Sequence, residues 1–402
     1  MDFYSIFKID VIAFLLIVLY LLSAIFFYFF LLRRERLLTR EVAVTTCIAF
    51  FLPLSFFVLN QIFHFKSIPP DTHAYAAVIF DFKNFNAFTF GVMGYSILNY
   101  IPIKLCFGRP AVFVIFNIFY FQVAILYLFK AFKMYCGYNG EKTRTSVFIF
   151  LQILSVVYPV ALMHTSSILR ESMMLMVFSI CIYFLVKFYC MRYKNYVLML
   201  VFILFLFIIR PITGICMVLA YFVAYVDKKK LLTAKNFLKF GVLALILAFI
   251  GQEVILSLYN IDFSIEWIAQ YRARSNSRFG IEGYNSLDWT SPLYYLKNLF
   301  LIVTQYILSP LPILVSKEVA FNKLIPLLDS VFIIVFLFLP IVMFRRKNFN
   351  RWMILFLLFI VVPAIMETNI SGAYRHRMNG IFMLLPLAAY VFSLFKIKNI
   401  GR

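Results

Sequence analysis

The chain has 402 residues, of which 64% are hydrophobic, 20% aromatic and only 14% charged. Soluble domains average about 45–50% apolar and about 25% charged, so a water-soluble fold is excluded and a polytopic membrane protein is indicated. The net charge of +21 does not point to nucleic acid, because the cations sit in short loops between apolar runs, as in loops that orient membrane helices.

Apolar runs fall at about 11–32, 42–63, 89–107, 111–132, 146–163, 172–188, 196–209, 211–226, 240–258, 293–315, 325–344, 352–366 and 379–395. No cleavable signal peptide is expected, because the first run is too long and Asp2 and Asp10 spoil a basic leader. Four basic stretches, Arg33–Arg36, Lys228–Lys230, Arg345–Lys347 and the tail Lys396–Arg402, belong on the cytoplasmic side by the positive-inside rule.

After the second run comes Ile68-Pro69-Pro70-Asp71-Thr72-His73-Ala74-Tyr75. Pro69 and Pro70 stop the preceding helix and stiffen the loop. Acids are scarce (17 in the whole chain), which makes Asp71 unusual between hydrophobic walls. It reads as a general base or an anchor for a sugar hydroxyl, with Tyr75 one helical turn on, or else as a solvated turn residue.

Parity shapes the rest. An even number of crossings must separate the basic loop at 33–41 from that at 228–230, so one of the intervening runs does not cross. The run 89–107, with Gly91, Gly94, Asn99, Pro102 and Lys104, is the candidate for a re-entrant or surface-lying segment. The run 293–315, with Pro310 and Pro312, is the weak member of the next group. The short runs on either side of Arg210-Pro211 read as a tight outer hairpin rather than one kinked helix.

The expected fold class is an all-α polytopic integral membrane protein with about 11 transmembrane helices and one or two re-entrant or interfacial segments. It forms a single transmembrane domain over 1–402, with outer loops at about 64–88 and 259–292. The N-terminus then lies outside and the C-terminus inside.

In this topology the outward-facing cations are Lys66, Lys83, Arg170, Arg210, Arg272, Arg274, Arg278, Arg375 and Arg377. Orientation alone needs only positive charge. A bias to arginine suggests a further demand, since guanidinium grips phosphate oxygens in bidentate fashion.

Glu171 complements the start of its helix, with Ser166 or Ser167 as the cap. Arg170 has no such excuse and needs Glu171 or an anionic ligand. Arg210, flanked by apolar residues, is a functional candidate or a snorkelling cation. Arg375-His376-Arg377 suits a phosphate clamp if the segment is extended, with His376 able to move a proton, or it is an ordinary basic end of a span. Asn369-Ile370-Ser371 matches a glycosylation acceptor but abuts a span too closely. The histidines make no metal site. The six cysteines form no CxxC pair and read as small membrane residues.

The order of these features resembles the EpsG/Wzy-type polysaccharide polymerases, within the multi-span glycosyltransferases that use lipid-linked sugars. The features are an outer Asp with Tyr four residues on, a Leu-Arg-Glu opening a helix, an outer Arg-Pro, and Tyr-Arg-His-Arg before the final span. The likeness of layout runs over roughly residues 40–395.

The resemblance implies an enzyme of the bacterial inner membrane. It would join undecaprenyl-diphosphate-linked oligosaccharide repeat units on the periplasmic face, building O-antigen or a related polysaccharide, with a chain-length regulator among its partners. By that likeness Arg170, Arg210, Arg375 and Arg377 hold the lipid diphosphate and Asp71 takes the proton of the attacking hydroxyl. Tyr75, Glu171, Arg272, Arg274 and His376 complete the substrate-binding set, with no cofactor and no metal. The stretch Tyr271–Arg278 matches none of the motifs and is assigned to the sugar. The competing expectations are a flippase for a lipid-linked glycan, and a ligase or acyltransferase acting on an envelope glycan. The one-sided clustering of ionisable residues favours the polymerase over the flippase.

Overall fold

A computed structural model of the chain describes residues 8–63, 71–80, 90–191, 196–228, 270, 292–311, 324–343, 349–367 and 369–400. The described residues are helical, without a β-strand. The helices are α1 (Val11–Arg34), α2 (Arg40–Phe63), α3 (Asp71–Phe80), α4 (Phe90–Leu98), α5 (Tyr100–Leu105), α6 (Pro110–Tyr138), α7 (Thr145–Val157), α8 (Pro159–Thr165), α9 (Glu171–Met191), α10 (Tyr196–Ile209) and α11 (Pro211–Lys228). They continue with α12 (Pro292–Leu308), then α13, which runs from Leu324–Phe332 through a π-helical turn, Ile333–Phe338, into Leu339–Met343. Last come α14 (Asn350–Met366), α15 (Ile370–His376) and α16 (Met378–Ile400).

Among the described residues, six helices are long and apolar enough to cross a membrane, or up to seven if α7 and α8 count as one bent span. The remaining apolar helices α10, α11, α12 and α14 are shorter, with apolar stretches of 10–17 residues. The polytopic, all-helical character expected from composition is present. The expected count of about 11 spans is not established by these helices, and the run 240–258 lies outside the described residues.

Side-chain contacts fix the directions of the helices. Along α1 and α6, Asp10 meets Arg109, Tyr28 donates to the Gln122 carbonyl, and Lys130 meets Glu35, so the two run parallel. Tyr127 stacks edge-on against Tyr183, and Tyr138 against Tyr189, so α9 is parallel to both. Phe121–Phe382 and Phe132–Tyr390 contacts align α16 with them. These helices therefore begin at one end of the bundle. α6, α9 and α16 form the buried centre, whereas α1 and α2 turn most of their apolar residues outward, as helices facing lipid do.

The opposite end carries Glu35 with Lys130, Glu141 with Tyr390, and Arg351 over the Tyr189 ring. Long cations there lay their stems along aromatic rings near the ends of spans.

Two breaks position the site. Residues 146–163 read as one run, but the helix bends by 73° between α7 and α8. Pro159 occupies the first position of α8 and drives Tyr158 into extended backbone, φ −63° and ψ 112°. The break lets α8 turn aside and deliver residues 166–170 across the end of the bundle.

The second break is Arg210, the single residue between α10 and α11. Tyr196 near the start of α10 and Tyr221 well along α11 both pack on Phe188. The pair is therefore an antiparallel hairpin with Arg210 at its tip, as the sequence pattern indicated. Gly214 permits it: a Cβ there would sit 2.7 Å from the Phe207 ring.

The stretch 89–107 forms only the short α4 and α5, with a break at Asn99, and neither helix is long enough to cross. The weak run 293–315 contains α12, whose 17 residues span about 25 Å.

Candidate functional site

The site is built from four chain segments that meet at the end of the bundle where α9 and α16 begin. Its centre is Glu171, the first residue of α9, which is fully buried. One carboxylate oxygen, Oε1, accepts from Arg210 Nη2 at 3.0 Å and from Arg375 Nη2 and Nε at 3.0 and 3.2 Å. Thus residues 171, 210 and 375, distant in sequence, share one oxygen atom. Sequence reasoning gave Glu171 to the helix dipole, to Arg170 as a candidate partner and, by the resemblance, to the substrate-binding set; its hydrogen bonds go to Arg210 and Arg375.

The pairing leaves donors over. Among the described residues, Arg210 Nε and Nη1 and Glu171 Oε2 are buried without a hydrogen-bond partner. Unmade hydrogen bonds of a buried charged group are expensive, more than about 1–3 kcal/mol each. Arg170 stands beside them, its Nη1 donating to the Ile209 carbonyl at 3.2 Å. That contact gives Arg170 a favourable place at the C-terminus of α10. Its Nε is likewise buried without a partner among the described residues. Three guanidinium groups against one carboxylate leave the cluster two positive charges in excess.

Neither Ser166 nor Ser167 caps α9. Their hydroxyls donate back to the Met163 and His164 carbonyls, and the position before the helix belongs to Arg170, whose carbonyl accepts from Met174 N at 2.9 Å. The loop is pinned instead by Asn117 of α6, whose Nδ2 donates to the Ser167 carbonyl at 2.6 Å.

Arg377 does not join the cluster. The segment 370–376 is helical rather than extended, which turns residues 375 and 377 in different directions. Arg377 is fully buried and ion-paired to Asp329 of α13. Its Nη1 also donates to the carbonyls of Ile307 and Ser309, both at 2.7 Å, and of Tyr306 at 3.2 Å. The guanidinium is saturated by protein atoms and closes the C-terminal end of α12, so it does not fit a substrate-holding role.

Tyr75, expected in the substrate-binding set, is buried with its ring edge-on to Tyr95 at 4.8 Å, so it packs within the protein and does not stand open to a substrate. Tyr95 donates to Asn117 Oδ1 at 3.4 Å, which links α3 to the loop before Arg170. Asp71 opens α3, but its side chain, like Arg272, Arg274 and the whole of Tyr271–Arg278, lies outside the described residues.

His376 Nδ1 meets Glu367 Oε2 at 2.5 Å, with the ring 31% exposed and the carboxylate 6% exposed. Burial, and then Arg210, hold the His376 pKa below its ordinary value, partly offset by Glu367. His164 is buried with its ring stacked on Tyr374 at 6.2 Å. Asn369 caps α15, its Oδ1 accepting from Gly372 N at 2.5 Å.

Among known proteins, the chain matches no family model, no curated protein and no solved structure. The chemistry of the site must therefore be argued from the site itself. No group of three or more metal-ligating side chains occurs among the described residues. A buried cluster of guanidiniums with unmet donors is suited to a multiply charged anion with several acceptor oxygens, such as a phosphate or diphosphate.

Glu367, Asp329, Tyr158 and Asn117 were not singled out from sequence. The scarcity of acids that drew attention to Asp71 applies equally to Asp329, inside the run 325–344, and to Glu367, at the end of 352–366.

Proposed function

We propose that the protein is a membrane glycosyltransferase that joins oligosaccharide repeat units carried on a polyprenyl diphosphate. It would be a polysaccharide polymerase of the O-antigen type in a bacterial inner membrane, acting on the periplasmic face. The observation that carries this reading is Arg210: buried at the tip of a hairpin, paired on one nitrogen and unpartnered on two.

A lipid-linked donor brings its diphosphate to the membrane surface, where Arg210, Arg375 and Arg170 would receive it. When the glycosidic carbon is attacked, its bond to the diphosphate oxygen breaks and negative charge develops on that oxygen. Preorganised guanidiniums stabilise that charge without reorganising, a contribution of about 10²–10³ in rate per donor in comparable sites. Glu171 holds two of the guanidiniums in place before substrate arrives.

The test is a deletion strain examined for glycan length on gels. Loss of a polymerase leaves single repeat units attached to their acceptor, whereas loss of a flippase leaves none. Full-length chains in a strain carrying normally expressed Arg210→Ala would remove the site from the reaction.

A further inference from the structure

We propose that His376 accepts the proton of the hydroxyl that attacks the lipid-linked sugar, with Glu367 as its positioning residue. This rests on the glycosyl transfer proposed above.

The turn between α14 and α15 is built around the Glu367 carboxylate. Glu367 itself is in extended backbone, φ −82° and ψ 130°. Its Oε1 accepts from Asn369 N at 3.2 Å, and its Oε2 lies against His376 Nδ1. Gly372 is part of the seat: a Cβ there would lie 2.3 Å from Oε1 and 2.6 Å from the carboxyl carbon. Any other residue at 372 would displace the carboxylate.

The two partners differ in access. Glu367 is nearly inaccessible and His376 is about one-third open. A buried carboxylate on Nδ1 fixes the tautomer and leaves Nε2, on the far side of the ring, to take a proton.

The location fits. His376 is adjacent in sequence to Arg375, and Arg210 is near enough to act on its charge. The charged groups acting on the ring are Arg210, Glu367 and Arg375. Of the helices packed on α15, α12 brings Tyr306 to this end, and α16 opens with the uncharged Met378, Asn379 and Gly380, after Arg377. A pKa held below the usual value favours the neutral imidazole, the form that can act as a base.

In the step itself the acceptor oxygen forms a bond to the anomeric carbon. The bond from that carbon to the diphosphate oxygen breaks and its electron pair leaves with the diphosphate. The hydroxyl proton passes to His376 Nε2, giving an imidazolium paired with Glu367, and is later lost to water.

A purely structural ion pair capping α15 would share this geometry, so the test uses readouts that such a role would not move. Membranes from the deletion strain, carrying the full chain or a variant, are incubated with the lipid-linked repeat unit extracted from that strain. Release of polyprenyl diphosphate is followed against pH.

In His376→Ala, turnover should fall about 10²–10⁴-fold with KM little changed, and added imidazole should restore part of it. In Glu367→Gln, loss of the charge that raises the His376 pKa should move the acidic limb of the profile to lower pH. Retained turnover in His376→Ala overturns the proposal. So does loss without imidazole rescue in a variant that melts like the wild type, and so does retention there with loss in Asp71→Asn, which gives the proton to Asp71. If His376→Ala does not fold, His376→Gln is judged by the same turnover criteria. A wild type without turnover overturns glycosyl transfer first and the base with it.

Discussion

Arg375 and Arg377 stand two residues apart, yet their surroundings are opposed. Arg377 is sealed in protein, paired to Asp329 and donating to three carbonyls at the end of α12. Arg375 reaches across to Glu171, shares that carboxylate with Arg210, and keeps 17% of its side chain exposed. Charge near one short helix thus has two uses here. One guanidinium stitches helices together, whereas the other belongs to a cluster whose donors exceed its acceptors. What separates them is burial and the partners each meets, Asp329 and three carbonyls against a carboxylate shared with Arg210, not the sequence context.

Substitutions should separate the two regions in order of effect. The largest is expected from Arg377→Ala, which takes the ion-pair partner from the buried Asp329 at a cost of about 3–5 kcal/mol. The folded protein recovered by size-exclusion chromatography should fall sharply, and polymer with it. Recovery of normal amounts of well-folded protein would show that Arg377 is not structural.

Arg210→Ala is next. Glu171 keeps Arg375, so the protein should still fold, but glycan synthesis in membranes should fall about 10²–10³-fold. Arg375→Lys keeps the charge but loses the planar fork, and should fall between wild type and Arg375→Ala in the same assay.

Gly372→Ala sharpens the comparison differently. Its Cβ would push Glu367 aside, so a modest destabilisation of about 1–3 kcal/mol should accompany a loss of turnover larger than the stability change explains. The smallest effect should come from Trp352→Phe, at the other end of the bundle. It removes the 2.7 Å hydrogen bond from Nε1 to the Met383 carbonyl and should cost about 1 kcal/mol in a melting experiment, with glycan length unchanged.

Sequence patterning made the helices readable, because apolar runs are long and basic loops punctuate them. It also exposed the hairpin at Arg210-Pro211, where proline and a lone cation interrupt an apolar stretch. The bend at Tyr158-Pro159 was less visible, since the residues around it are apolar on both sides and hydropathy does not see direction. Likewise Glu171 looked like an ordinary first-turn acid, because its partners lie 39 and 204 residues away. The different fates of Arg375 and Arg377 depend on which way a short helix turns, and that is settled by Asn369 capping and by the Glu367 seat.

The central claim is that Arg210 and Arg375, organised by Glu171, form a site for a diphosphate. The most direct measurement is the melting temperature of the purified full chain in lipid nanodiscs as inorganic pyrophosphate is added. The wild type should be stabilised in a saturable way, and the Arg210→Ala, Arg375→Ala double variant should not respond. A wild type that does not respond, or a double variant stabilised as strongly, would contradict it.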